Sequence, residues 1–132
     1  MNVEIFDRTV ALDASRVSAS EAEIRAQVEE YAAGERREFD LSVDLPEDFA
    51  GEVTAAMQNI PYGETRTYGE IAASLDTAPV AVGRACGANP VPLVVPCHRV
   101  VGADSLGGYS AGDGVAFKRR LLELEGAVPN RE

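Results

Sequence analysis

The chain has 132 residues, 45% of them hydrophobic, and no stretch approaches the ~18–20 apolar residues of a membrane helix. Acidic residues number 22 against 12 basic ones, a formal charge of -10, and Lys118 is the only lysine. That balance argues against a nucleic-acid partner, which wants a basic footprint, and fits adaptation to high salt, where a dense carboxylate surface is screened.

Two cysteines cannot build a disulfide framework, and the start "MNVEIFDRTV" has neither the basic residues nor the apolar core of a signal peptide. The expectation is a cytoplasmic protein with no membrane contact. Residues 3–12 alternate weakly and read as a short hairpin around Asp7-Arg8. "SEAEIRAQVEEYAAGE" reads as a helix: Ser20 and Glu23 form a capping-box pattern, Ile24, Val28 and Tyr31 share a face, and Gly34 is the stop. "REFDLSVDL" then alternates strictly, with Phe39, Leu41, Val43 and Leu45 on one side, and predicts a half-buried strand.

Pro46 opens a second predicted helix carrying Phe49, Val53, Met57 and Ile60 on one face. Thr67 caps a short helix, "YGEIAASL", with Glu70 three residues on. After the break "DTAP" comes a small-residue helix, "VAVGRACGA", ended by Gly87 and Asn89-Pro90. Two short helices around a tight break are a helix-turn-helix candidate. "VPLVVPCHRVV" is too rich in Val and Pro for a helix and predicts extended core segments. A glycine-rich loop, "GADSLGGYSAGDG", leads to a closing helix, "VAFKRRLLELEG", with Phe117, Leu121 and Leu124 inward and Gly126 as its stop.

The chemistry concentrates at Cys97 and His98, one of two cysteines beside the sole histidine. A tetrahedral metal site needs about four ligands, and a chain with no CxxC and no second histidine does not offer them, so no metal and no cofactor are expected. A thiol–imidazole pair needs His98 near the sulfur, yet neighbours on an extended chain point to opposite faces. Direct proton transfer therefore needs a sharp turn at Pro96, or a bridging water. The plain alternative is a small buried thiol next to a satisfied core histidine.

The stretch "NPVPLVVPCHRVVG" closely resembles the active-site signature of the O6-alkylguanine-DNA alkyltransferases. The resemblance extends through "IPYGETRTYGEIAASL", "VGRACGAN", "GGYSAG" and the helix from Lys118 to Gly126, in order, over about half the chain. It implies an α+β fold: a small, truncated N-terminal α/β region (residues 1–45) packed on a helical, helix-turn-helix or winged-helix-like domain (46–128), with a frayed tail (129–132). It implies a monomeric, single-turnover repair protein that binds double-stranded DNA through the minor groove. Such a protein flips O6-alkylguanine, mainly O6-methylguanine, out of the duplex and takes the alkyl group irreversibly onto a cysteine.

On that resemblance Cys97 matches the nucleophile, His98 the water-bridged base, Glu125 the carboxylate that orients it, and Tyr68 a catalytic tyrosine at the target nucleotide. Asn89 matches the asparagine that holds the turn before the nucleophile. Tyr109 and Ser110 match the loop over the flipped base, while Thr67, Pro92, Val100 and Arg84 join the binding residues. Arg99 matches a structural arginine paired inside the fold. Where the family has an intercalating arginine this chain has Val80, read here as an apolar wedge, a role aliphatic side chains play in the minor groove. "YSAGDGVAFK" holds about two more residues than the family's spacing, and the N-terminal region carries none of the metal ligands of some members. Two other readings differ in chemistry: an alkyltransferase-like sensor that binds alkylguanine without repairing it, and a regulatory helix-turn-helix domain with an idle thiol.

Overall fold

A computed structural model describes residues 1–103, 106–107 and 114–127. Tyr109, Ser110 and the predicted tail at 129–132 lie outside these residues. The chain starts with a hairpin, β1 (Asn2–Ile5) against β2 (Arg8–Ala11), antiparallel with Val3 opposite Val10. Val3, Ile5 and Val10 face the core, as period-2 alternation requires. The turn is Phe6-Asp7, one residue earlier than the sequence suggested, and both have positive φ (53° and 64°), as a tight hairpin turn demands.

Helix α1 (Glu21–Ala32) starts at Ser20, whose hydroxyl accepts the Glu23 N–H. The expected reciprocal contact from Glu23 is not made, because its carboxylate takes the Gln27 amide at 2.6 Å. Gly34, at φ 78°, ends the helix as predicted.

The predicted strand over residues 37–45 is not a strand. The segment is extended and Phe39, Leu41 and Val43 are half-buried, but Leu45 is exposed and the segment's ladder contact is one antiparallel bridge, Val43 to Val17. In place of a neighbouring strand, the Gln27 side chain takes up Asp40: its carbonyl accepts the Asp40 N–H and its amide donates to the Asp40 carbonyl. Alternation reported which side chains turn inward, not what the backbone pairs with.

Helix α2 (Phe49–Gln58) begins three residues after Pro46, capped by Asp48. Pro46 does not open it. Its carbonyl folds under the first turn so closely that a Cβ on Gly51 would lie 1.8 Å from the oxygen, so only glycine fits. A two-residue strand, β3 (Arg66–Thr67), feeds α3 (Tyr68–Ser74) through a complete Thr67/Glu70 capping box. After a tight break with Asp76 at φ 56°, α4 (Pro79–Gly87) packs against α3, giving the expected helix-turn-helix. β4 (Val100–Val101) pairs in parallel with β3. Helix α5 (Val115–Glu125) stops at Gly126 in the left-handed conformation, where the Ala127 N–H reaches back to the Leu122 carbonyl.

Among the described residues one large core runs through the molecule, and a smaller cluster gathers Val101, Leu106 and Leu122. Ile24, Val28 and Tyr31 of α1 meet Val53 and Met57 of α2, Val82 of α4, Val91 to Val95, and Phe117 and Leu121 of α5. The Asp13 N–H donates to the Pro90 carbonyl, tying the N-terminal region to the loop that leads into Cys97. Among the described residues no helix is long and apolar enough to cross a membrane.

Candidate active site

Residues 91–100 are all buried, so the chain from α4 to β4 passes through the interior. Asn89 shapes its entry: the side-chain amide donates to the Val95 carbonyl at 3.0 Å, and its oxygen accepts the Val91 N–H at 3.0 Å. Within this loop Leu93 sits at φ 78°, a conformation costly for a branched side chain, held by burial on every side. Pro96 then closes an inverse γ-turn (φ -81°, ψ 67°), with the Cys97 N–H donating to the Val95 carbonyl at 2.8 Å.

Cys97–Arg99 form one 3-10 turn, not the extended segment expected from the Val- and Pro-rich composition. Three residues per turn fan the side chains of Cys97, His98 and Arg99 about 120° apart. His98 is therefore not directed opposite to Cys97, and the sharp turn that proton transfer requires is present.

His98 is fully buried, and its Nε2 lies 2.8 Å from Oε2 of Glu125. Glu125 is the hub of the site. Oε2 also accepts from the Tyr31 hydroxyl at 2.6 Å and from an Arg99 nitrogen at 3.0 Å. Oε1 accepts from Arg99 Nε at 2.9 Å and from the Gly63 N–H at 3.2 Å. Arg99 is completed by the Ile60 carbonyl at 2.7 Å, and its guanidinium lies over the Tyr62 ring.

The electrostatics follow from these contacts. Burial works against a charged Glu125, but hydrogen bonds from His98, Arg99 and Tyr31 outweigh it and hold the carboxyl down to about 2. Burial lowers the His98 pKa, against the pull of Glu125 and with the help of the Arg99 and Lys118 cations. The Tyr31 phenol is pushed far up, first by burial and then by the carboxylate it donates to. The resting site thus holds an anionic Glu125 and a neutral imidazole. A carboxylate only accepts, so Nε2 carries the proton and Nδ1 the lone pair. Nδ1 is buried and has no hydrogen-bond partner among the described residues.

Cys97 is 6% exposed and shares the core with Cys86, whose thiol is raised to about 12 by burial and then by Cys97. Lys118 is fully buried on α5, donates to the Val100 carbonyl at 2.6 Å, and lies 5.6 Å over the Tyr68 ring. Burial lowers its pKa to about 8. Tyr68, the first residue of α3, packs against Gly107 so tightly that a Cβ there would lie 2.8 Å from the ring. Burial raises its phenol pKa, followed by the two cysteines, so its hydroxyl keeps a proton to donate.

The other predicted site residues divide by exposure. Val80 is 64% exposed in the first turn of α4, and Arg84 is exposed one turn later on the same face. Thr67 spends its hydroxyl on the helix cap, and Pro92 and Val100 are buried, so none of these three turns a free polar group to the surface. Arg99 is paired inside the fold as expected. Among the described residues no cluster of metal-ligating side chains occurs. A groove of about 360 Å³ between residues 37–41 and 58–62 reaches Pro96 and Arg99 but not Cys97 or His98.

Two participants escaped the sequence reading. Tyr31 was placed only as a core residue, though a polar-tipped ring on an aliphatic face must find a partner for its hydroxyl. Lys118 carried a signal too. It shares the α5 stripe of Leu121, Leu122 and Glu125 at helical spacing, which puts a lysine and a carboxylate on the buried side.

Comparison with known proteins agrees with this geometry. Residues 48–127 match the family model described as 6-O-methylguanine DNA methyltransferase, DNA binding domain. A methylated-DNA--protein-cysteine methyltransferase of Archaeoglobus fulgidus is 44% identical over 114 residues, 83% of this chain and 78% of that protein. Its Mycobacterium tuberculosis counterpart is 52% identical over 103 residues, and the match spans only 61% of that relative's length. The crystal structure of Mycobacterium tuberculosis OGT in complex with DNA superposes with a TM-score of 0.73 at 50% identity, covering 79% of this chain and 65% of that one. The chain belongs to the 6-O-methylguanine DNA methyltransferase family.

Proposed function

We propose that this chain is a single-turnover DNA repair protein that takes the alkyl group of an O6-alkylguanine in duplex DNA onto Cys97. The observation that carries the reading is the imidazole between two settings. Nε2–H of His98 is pinned to Glu125, and the lone pair of Nδ1 is left on a turn shared with the sulfur. His98 accepts the Cys97 proton, directly or through a water. The thiolate attacks the alkyl carbon, forming a C–S bond as the C–O bond to guanine breaks. The electron pair goes to the guanine oxygen. A proton returned from the imidazolium, or donated by Tyr68, neutralises the base. Glu125 stabilises the imidazolium while it lasts. The thioether has no route back to a thiol, so one molecule repairs one lesion.

The lesion must leave the stack to reach a buried sulfur. The proposed reader is the α3–α4 pair entering the minor groove, with Val80 as an apolar wedge and Arg84 beside it on the exposed face. Tyr109 and Ser110 are proposed, on family resemblance alone, to cover the extruded base. Charge supports this orientation. Residues 1–58 carry fourteen acidic against five basic side chains, whereas residues 59–132 carry eight against seven. The acid is concentrated in the first part of the chain and the part proposed to read DNA is close to neutral, so phosphate contacts contribute little and a high-salt cytoplasm is the proposed setting. The unit that binds and reacts is proposed to be residues 46–128, supported by residues 1–45.

The test is intact mass after incubation with duplex DNA holding O6-methylguanine. A gain of one methyl on Cys97, absent in Cys97→Ser, is expected. Binding with no gain in mass points to the sensor reading, and neither binding nor gain overturns both.

A further inference from the structure

Helix α1 belongs to the N-terminal region, yet it sends one side chain to the catalytic carboxylate. Tyr31 is wholly buried, between Phe39 (centroids 5.3 Å apart) and the edge of Tyr62 (6.2 Å). Its hydroxyl donates to Oε2 of Glu125 at 2.6 Å, the same oxygen that His98 Nε2 contacts, and lies 3.4 Å from that nitrogen. Ring packing alone does not explain this arrangement. A phenylalanine would fill the same space between Phe39 and Tyr62. The hydroxyl is used at the carboxylate and the adjacent His98 nitrogen.

We infer that Tyr31 is a positioning residue for alkyl transfer: its hydroxyl fixes Oε2 of Glu125 and limits how much of that oxygen's charge reaches His98. Five donor atoms from three parts of the chain converge on Glu125: Tyr31 of α1, Gly63 of the turn after α2, and His98 and Arg99 of the 3-10 turn, the last with two nitrogens. A carboxylate has about four good acceptor directions, so the donors compete. The charged groups that also act on the imidazole are Arg99 and Lys118. Removing the Tyr31 hydroxyl leaves more negative charge facing His98, which favours the imidazolium. The N-terminal region thereby sets the proton affinity of a base that it does not carry.

The inference deepens the transferase reading, but its first readout does not need transfer. His98 is the sole histidine, so its ring resonances titrate alone in an NMR spectrum. In Tyr31→Phe the His98 midpoint should rise by about half a pH unit or more. The acid limb of the transfer rate against pH should move up with it. Phe39→Leu, which loosens the ring packing and keeps the hydroxyl, should leave both in place. A Tyr31→Phe protein with the wild-type His98 titration overturns the inference, even if its melting temperature falls. Should that variant not fold, the wild-type hydroxyl proton decides. Donation into a buried carboxylate predicts a slowly exchanging resonance with cross-peaks to the His98 ring, and its absence is the contrary result. If His98 titrates as expected while no methyl is gained by wild-type Cys97, the transferase reading fails, and what stands is the hydroxyl's control of the charge on Glu125 that reaches His98.

Discussion

The buried site and the exposed face of α4 are built on opposite terms. Around Glu125 a carboxylate, a guanidinium, an imidazole and a phenol are bound to one another, almost none of it touching solvent. On α4, Val80 and Arg84 stand in solvent on one face. The interior is finished before any ligand arrives, as preorganised catalysis requires. In the proposed reading the surface is left incomplete, because the DNA supplies the other half of the contact. Mutations among the groups bound to Glu125 should therefore damage chemistry and folding together, while mutations on α4 should change DNA engagement and leave the fold intact.

The largest expected effect separates chemistry from folding within the site. Cys97→Ser should abolish transfer, with binding to alkylated duplex and the melting temperature nearly unchanged, since a small side chain replaces a small side chain. A mass spectrum and a gel-shift titration check both halves.

Next comes Glu125. Its folded pKa lies below the ordinary 4.5, so its ionised form contributes stability that is present above pH 4.5 and lost as pH falls through the folded value. Glu125→Gln should lower stability at pH 7 by about 3–5 kcal/mol, because it leaves the Arg99 guanidinium buried without its counter-charge, and should flatten the acid limb of a denaturation series. Equal acid sensitivity in both proteins would remove Glu125 from that role.

Gly107→Ala bridges the two regions. At φ 77° and 2.8 Å from the Tyr68 ring, an added methyl is strained and pushes the tyrosine. A loss of about 1–2 kcal/mol in stability is expected, together with slower transfer from misplaced Tyr68. The smallest effect belongs to Val80→Ala: about a threefold to tenfold slower transfer to duplex DNA, no slowing with free alkylguanine, and an unchanged melting temperature. If alanine costs nothing on duplex, the wedge is wrong. Val80→Arg should gain at low salt and lose that gain as salt rises.

Legibility in the sequence followed the range of the forces. The Thr67/Glu70 box and the Gly126 stop are set by residues three or four apart, and both were readable. The hairpin was readable to within one residue, because alternation marks strands more firmly than Phe6-Asp7 marks a turn. Residues 37–45 misled, since their alternation is real but the backbone pairs only at the Val43–Val17 bridge, and at Asp40 it meets the side chain of Gln27 instead. In the site, the meeting of His98 with Glu125 and the turn held by Asn89 were legible through the resemblance. The turn joining Cys97 to His98 was not, because Val- and Pro-rich composition does not announce an inverse γ-turn. Tyr31 was hidden for a further reason: its partner lies 94 residues away.

The central claim is that His98, held by Glu125, supplies the ionised sulfur of Cys97. The most direct measurement is the single-turnover transfer rate of wild type and His98→Gln on O6-methylguanine duplex, followed from neutral pH toward the range where a free thiol ionises unaided, about 8.5. The account predicts a large deficit near pH 7 that shrinks steadily as pH rises, with duplex affinity unchanged. A deficit of the same size at every pH, or none at all, would contradict it.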